Sequence, residues 1–272
     1  MFIGPLTSIN AKTFNEAFHG YSVPVSLDQK TFESNLKKNS YCRQLSVGLY
    51  EGEKLVGFIL NGKRGDSAYD CGTAIMDEYR GLGYANGMVE FAIEQLERNS
   101  MKRWILEVIT NNTKAFKLYT KYGFVPNREF YCYRIETHLL RKKTTVTLKE
   151  ASYALLNDNT ACVSSWQNCN ASLILGKTSL YSIWKDDCLS GYCAFDKKTG
   201  TIMQLYLNEA MRNKGIALEC LYALSSLTKN VLIKFINVDK AYTPMNCLLE
   251  KAGFSIFCMQ YEMQKMINSV IV

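Results

Sequence analysis

Arg80-Gly81-Leu82-Gly83-Tyr84-Ala85 follows an apolar run at residues 67–76 that reads as a strand. It opens a segment in which Ala85, Met88, Val89, Ala92 and Leu96 fall on one helical face. Glycines at a strand-to-helix turn let backbone N–H groups approach a ligand, and the helix start gathers unpaired donors and positive dipole. Such a turn suits a phosphate or pyrophosphate, and Arg80 would add a charge-assisted fork. A helix-opening turn that merely needs glycine would read the same way. A dinucleotide fingerprint fits poorly because Asn86 stands where the third glycine should be. The Lys-Ser/Thr of a P-loop is also missing.

Outward from this turn, helical and strand patterns alternate. Residues 10–20 and 27–38 read as short helices, the second with capping oxygens at Ser26 and Asp28. Residues 44–50 and 55–61 are strands joined by the turn Glu51-Gly52-Glu53-Lys54. Residues 104–109 form another strand, residues 113–122 a helix ended by Gly123, and residues 124–140 further strand. The order then repeats. Leu189-Ser190-Gly191-Tyr192 echoes Leu55-Val56-Gly57-Phe58, and Arg212-Asn213-Lys214-Gly215-Ile216-Ala217 echoes residues 80–85. Lys251-Ala252-Gly253-Phe254 echoes Lys121-Tyr122-Gly123-Phe124. Three matches in one order at nearly constant spacing indicate a tandem duplication joined near Arg141-Lys142-Lys143. The expected domains are residues 1–140 and 141–272, each α/β (α+β) with a mixed, mostly antiparallel sheet flanked by helices.

Composition narrows the class. A chain of 272 residues has room for about two domains, and 47% hydrophobic residues with four prolines argue against disorder. No apolar run reaches the ~18–20 residues of a membrane span, and the first residues lack the basic and apolar regions of a signal peptide. The net charge of +7 is scattered rather than striped with aromatic platforms, which argues against nucleic acid and suits a small anionic ligand equally well. Ten cysteines include no Cys-x-x-Cys pair, and the two histidines, His19 and His138, lie far apart. Free thiols in a reducing cytoplasm are therefore expected, with no metal site. The sequence carries no signal for oligomeric state.

The strand Leu106-Glu107-Val108 precedes Asn112-Thr113-Lys114-Ala115-Phe116-Lys117-Leu118-Tyr119-Thr120-Lys121-Tyr122-Gly123-Phe124. The Arg-x-x-Gly-x-Ala turn and this Asn-x-x-Ala-x-x-Leu-Tyr-x-Lys-x-Gly-Phe segment together resemble the GNAT superfamily of acetyl-CoA-dependent acyltransferases. The resemblance spans residues 1–140 in element order and is most specific over 72–124, and the repeat looks like a divergent second copy. It implies that the backbone at Ile75 and Met76 pairs with the pantetheine and polarises the thioester carbonyl. It implies that Arg80, Gly81, Leu82, Gly83, Tyr84 and Ala85 hold the pyrophosphate and that Asn112 contacts the cofactor arm.

Tyr119 would protonate the departing thiolate, a task that suits a phenol neutral at pH 7. An ordinary amphipathic contact on a helix is the alternative for it. Peptide N-terminal acetyltransferases of this superfamily have a similar Leu-Glu-Val strand and use its Glu as base, which implies that role for Glu107. A strand-end carboxylate paired with Lys or Arg is the other reading, and Asp70 and Glu129 are competing bases. In the second copy the Tyr119 position is Leu249, the Ala115 position Met245 and the Asn112 position Tyr242. Leucine cannot donate a proton, so this copy is expected to be a scaffold or cover for the acceptor site. Trp166-Gln167-Asn168 and Asn237-Val238-Asp239 would line that site, or else serve as a loop anchor and a strand-end turn. The implied activity is direct acetyl transfer from acetyl-CoA to a small-molecule or peptide amine. The alternative is a non-catalytic CoA-binding or regulatory module.

Overall fold

A computed structural model describes residues 1–21, 25–157 and 164–267. Cys162 and part of the 20–40 segment lie outside the described residues. The chain divides into two compact units, one of Met1–Asn127 with Tyr261 onward, the other of Arg128–Gln260.

The first unit runs β1 (Phe2–Pro5), α1 (Ala11–Ala17), α2 (Gln29–Lys38), β2 (Val47–Glu51), β3 (Lys54–Arg64), β4 (Ser67–Ile75), α3 (Tyr84–Arg98), β5 (Arg103–Ile109) and α4 (Thr113–Lys121). Its strands lie in the order β1-β2-β3-β4-β5. All neighbours are antiparallel except β4 and β5, which pair in parallel. The polar residues at helix starts act as caps: Asn10 Oδ1 accepts from Thr13 N–H, and Asp28, of the two candidates for α2, accepts from Thr31 N–H. On α3, Met88, Val89, Ala92 and Leu96 are buried, as the period of the sequence requires. The core they join centres on Trp104, whose Nε1 donates to the buried Asn61 Oδ1 at 2.9 Å.

The parallel pairing is short. Ser67, Ala68 and Tyr69 face Arg103, Trp104 and Ile105, and beyond them the two strands have no further partners in register. A cleft therefore opens between β4 and β5 at Asp70. Gly57 shows how tightly the other side of β4 is packed, because a Cβ there would meet Ala74 O at 3.2 Å.

The second unit holds most of β6 (Val125–Glu136), then β7 (Thr147–Ala151), α5 (Asn170–Leu175), β8 (Leu180–Lys185), β9 (Cys188–Asp196), β10 (Thr201–Leu207), α6 (Ile216–Ser225), β11 (Leu232–Asp239), α7 (Thr243–Lys251) and the start of β12 (Ser255–Met266). Its strand order is β6-β11-β10-β9-β8-β7, with its own core around Phe195, Leu221, Ile233 and Leu249. The pair β10–β11 repeats the short parallel contact, Thr201 and Ile202 facing Lys234 and Phe235.

Two tandem copies of one mixed, mostly antiparallel fold are thus present, but the units are not cut at residue 140. The closing strand of each copy belongs to the other unit: Leu232–Phe235 of β11 pairs with Tyr133–Glu136 of β6, while Tyr261 onward belongs to the first unit. Repeats in sequence mark where a motif recurs, not which sheet edge takes its last strand. Among the described residues are nine cysteines in the thiol form, of which Cys132, Cys193 and Cys220 are buried.

Candidate active site

The turn after β4 adopts the conformation its glycines permit. Gly81 and Gly83 have φ of +77° and +85°, in the left-handed region, and Gly83 is the N-cap of α3. Nothing lies within 4 Å of where a Cβ would stand at either position, so conformation rather than space demands glycine. Gly83 gives the first turn of α3 no side-chain cap, and although Asn86 N–H is donated to Gly83 O at 3.0 Å, a helix start of this kind is suited to an anion. Leu82 is exposed, and Tyr84 and Ala85 are half-buried at the helix start. Lys121 Nζ and Tyr122 Oη donate to Asn86 Oδ1 at 2.7 and 3.1 Å, which puts a cation beside the nest.

Arg80 differs from expectation. Its Nε donates to Ile75 O at 2.7 Å, one terminal nitrogen donates to Ala17 O at 2.7 Å and His19 O at 3.1 Å, and the other pairs with Asp77. The guanidinium therefore ties the end of β4 to the end of α1 instead of offering a free fork. Asp77 also accepts from His19 Nδ1 at 3.0 Å; that bond and the Arg80 charge hold its carboxyl below the usual range. Any phosphate in the turn would be held by backbone donors.

Ile75 and Met76 also divide in role. Met76 N–H is already donated to Val56 O at 2.9 Å. Strand N–H groups alternate in direction, so the amide aimed away from β3, toward the cleft, is that of Ile75. Asn112 caps α4, its Oδ1 accepting from Ala115 N–H at 3.1 Å, which fixes the helix that carries Tyr119.

At the mouth of the cleft Tyr119 Oη donates to Asp70 Oδ2 at 3.1 Å. The same carboxylate oxygen accepts from Thr73 Oγ1 at 2.6 Å, and Oδ1 accepts from Gly72 N–H at 2.8 Å. Tyr119 is 6% exposed and Asp70 8%. Burial raises the Asp70 carboxyl, opposed by its three donors. Burial, then the Asp70 charge, pushes the Tyr119 phenol well above its usual range, so it stays protonated. Its ring stands edge-on to Phe124 at 5.4 Å, and Phe124 stands edge-on to Trp104 at 5.1 Å.

Glu107 follows on β5, half-buried between the buried Leu106 and Val108, beyond the last paired rung. Of the two competing bases, Asp70 is brought to Tyr119. Glu129 belongs to the second unit and is ion-paired with Lys240 at 2.8 Å.

The second copy keeps the turn and has leucine where the first has Tyr119. Asn213 and Gly215 have φ of +61° and +76°, and Arg212 Nε donates to Leu207 O at 3.1 Å, matching Arg80 and Ile75. Leu249 is fully buried, and Asn237, on a bulge with φ +55°, takes the place of Glu107. A cavity of about 340 Å³ opens here, lined by Asn168, Gln204, Tyr206, Asn237, Asp239 and Tyr242 among others. Both polar clusters noted in the sequence meet at it. Asn168 Nδ2 donates to Ile236 O at 2.8 Å, and Asp239 pairs with Arg128 at 3.5 Å.

A helix-opening anion nest beside a parted parallel strand pair, with a buried phenol at the parting, defines an acyl-CoA-dependent acyltransferase. The comparisons agree: residues 6–124 match the acetyltransferase (GNAT) family. The whole chain has the fold of a GCN5-related N-acetyltransferase from Sphaerobacter thermophilus, with TM-score 0.71 and 14% identity over 95% of this chain and 91% of that one. It is also similar to a tandem GNAT protein from the clavulanic acid biosynthesis pathway, with TM-score 0.66 and 12% identity over 95% and 94% of the two chains. A GCN5-related N-acetyltransferase from Kribbella flavida aligns with TM-score 0.52 and 12% identity over 98% and 72%. Likeness at such identities establishes the fold. No curated protein matches the chain. Among the described residues, no helix is long and apolar enough to cross a membrane and no group of three or more His, Cys, Asp or Glu is placed to hold a metal ion.

Proposed function

We propose that the N-terminal copy moves an acetyl group from acetyl-CoA to a primary amine by direct attack, and that the second copy does not turn over. The observation that carries this is the placement of Tyr119 against Asp70 where the pairing of β4 with β5 ends, on the strand that leads into the glycine turn. The open, positive-φ turn fits a pyrophosphate: its donors are backbone N–H groups, and a Cβ at Gly81 or Gly83 would require a strained left-handed residue. Acetyl-CoA supplies the activated acetyl group as its thioester. The nest from residues 80–85 fixes the anionic end, and Ile75 N–H is aimed where negative charge develops on the carbonyl oxygen. Glu107 takes a proton from the incoming ammonium, and Tyr119 holds the proton destined for the departing sulfur. Holding amine and thioester side by side supplies much of the acceleration, because a bimolecular encounter becomes a local one. The second copy, with Leu249 and Asn237 at the matching positions, lacks both proton-handling groups.

The acceptor is a small-molecule or peptide amine. A thiol-release assay on the full chain, with acetyl-CoA and a panel of diamines, amino acids, aminoglycosides and short peptides with free N-termini, is expected to give CoA release above hydrolysis for one class. Release no faster than hydrolysis across the panel, with acetyl-CoA bound, would favour a regulatory CoA-binding module instead.

A further inference from the structure

Tyr119 carries its proton toward Asp70, not toward the cleft. A phenol that donates to a carboxylate presents lone pairs to whatever lies on its other side. Given the reading that Tyr119 delivers a proton to sulfur, that proton is not initially aimed there. It also cannot simply leave, because a buried phenolate beside a carboxylate is strongly disfavoured. The surroundings of Asp70 suit a group that changes protonation in place. Two hydroxyls and one amide hold its oxygens at 2.6, 3.1 and 2.8 Å.

We propose that Asp70 is a positioning residue that acts through Tyr119 as a two-way proton holder. As the amine nitrogen bonds to the carbonyl carbon, its N–H proton passes to Tyr119 Oη while the phenol proton passes to Asp70 Oδ2. As the carbon–sulfur bond breaks, Asp70 returns its proton to Tyr119, and the phenol gives one to sulfur. The nitrogen loses one proton, the sulfur gains one, and both side chains end as they began. No other reactant is needed. Glu107 keeps a separate task, removing the earlier proton that converts ammonium to amine.

The arrangement requires Asp70 to begin as a carboxylate, so kcat falls as pH drops through its carboxyl range, which burial has moved upward. Among the described residues the groups acting on Asp70 are Thr73, Gly72 N–H and Tyr119; Cys71 on the same strand feels the Asp70 charge, and Tyr21, after α1, acts on Tyr119. Thr73 lowers the Asp70 carboxyl, and removing that bond shifts the acid limb to higher pH.

The test is the pH profile of kcat for five full-length variants. Asp70→Asn keeps an acceptor for Tyr119 but cannot take a proton. It is expected to lower kcat about 100-fold, with KM for acetyl-CoA within twofold, and to abolish an acid limb that Glu107→Gln retains. Added to Tyr119→Phe it should cost nothing more, because the two act as one unit. Thr73→Ala, which keeps the carboxyl, is expected to move the limb upward and so answers the question even where Asp70→Asn folds poorly. The proposal is overturned if Asp70→Asn stays within threefold of wild type, if its effect adds fully to that of Tyr119→Phe, or if Thr73→Ala leaves the limb unmoved. Those results with an inactive Tyr119→Phe remove only the relay, whereas an active Tyr119→Phe removes the acid role itself.

Discussion

Tyr119→Phe is expected to lower kcat about 10²- to 10³-fold and to leave KM for acetyl-CoA within twofold, as measured by steady-state thiol release. The substitution deletes one oxygen and keeps the ring, so the edge-on contact with Phe124 at 5.4 Å survives. The nest at Gly81 and Gly83 is on another element and is untouched. Ground-state binding should therefore persist while the proton route is lost. Asp70 would keep its bonds from Thr73 and Gly72 but lose its third donor. An unfolding loss of about 1–2 kcal/mol is the accompanying expectation. A large change in KM with kcat intact would assign Tyr119 to binding instead.

The largest stability effect is expected at Trp104. Trp104→Ala should destabilise the first unit by about 3–5 kcal/mol, read from urea unfolding of the full chain, because it empties a fully buried site and strands a buried amide oxygen. The ring is completely enclosed, and its Nε1 satisfies Asn61 Oδ1. Trp104 also faces Ala68 in the second of the three rungs where β4 and β5 still pair, one rung before the last. Phe124 bridges it to Tyr119. Activity measured well below the unfolding midpoint should thus fall too, unlike at an equally buried position remote from the cleft. Trp104→Phe, which refills most of the volume, should recover much of both losses.

Local chemistry was legible in the sequence wherever neighbours along the chain decide the conformation. Gly81 and Gly83 sit in the left-handed region, Asn112 caps α4, and Gly123 at φ +81° ends it with Phe124 N–H bonded back to Tyr119 O. The buried face of α3 follows from its period. Long side chains were not legible in the same way. Arg80 looks like an anion fork because its neighbours form a nest, yet its partners Ala17 O and His19 O come from α1 and the residues after it. Asp70 gave only a competing claim as a base. Its link to Tyr119 depends on β4 lying against α4, and nothing within Tyr69-Asp70-Cys71-Gly72 encodes that. The exchange of closing strands was equally hidden, since residues 125–136 are good strand sequence for either sheet.

The duplication also acquires chemical content. Both copies keep the turn geometry, shown by paired positive φ values at 81 and 83 and at 213 and 215. Only the first keeps a phenol at the Tyr119 position. Its counterpart Leu249 is core, and Asn237 at the Glu107 position is bonded by Gln260 Nε2 at 2.8 Å.

Hydrogen–deuterium exchange of the full chain with and without acetyl-CoA tests most directly where the cosubstrate is held for reaction. Slowed exchange is expected at the amides of Ile75 and of residues 81–85 in the first copy, with Tyr119→Phe showing the same protection. Protection confined to residues 207–217, with residues 75–85 unchanged, would contradict the assignment of the active site to the N-terminal copy.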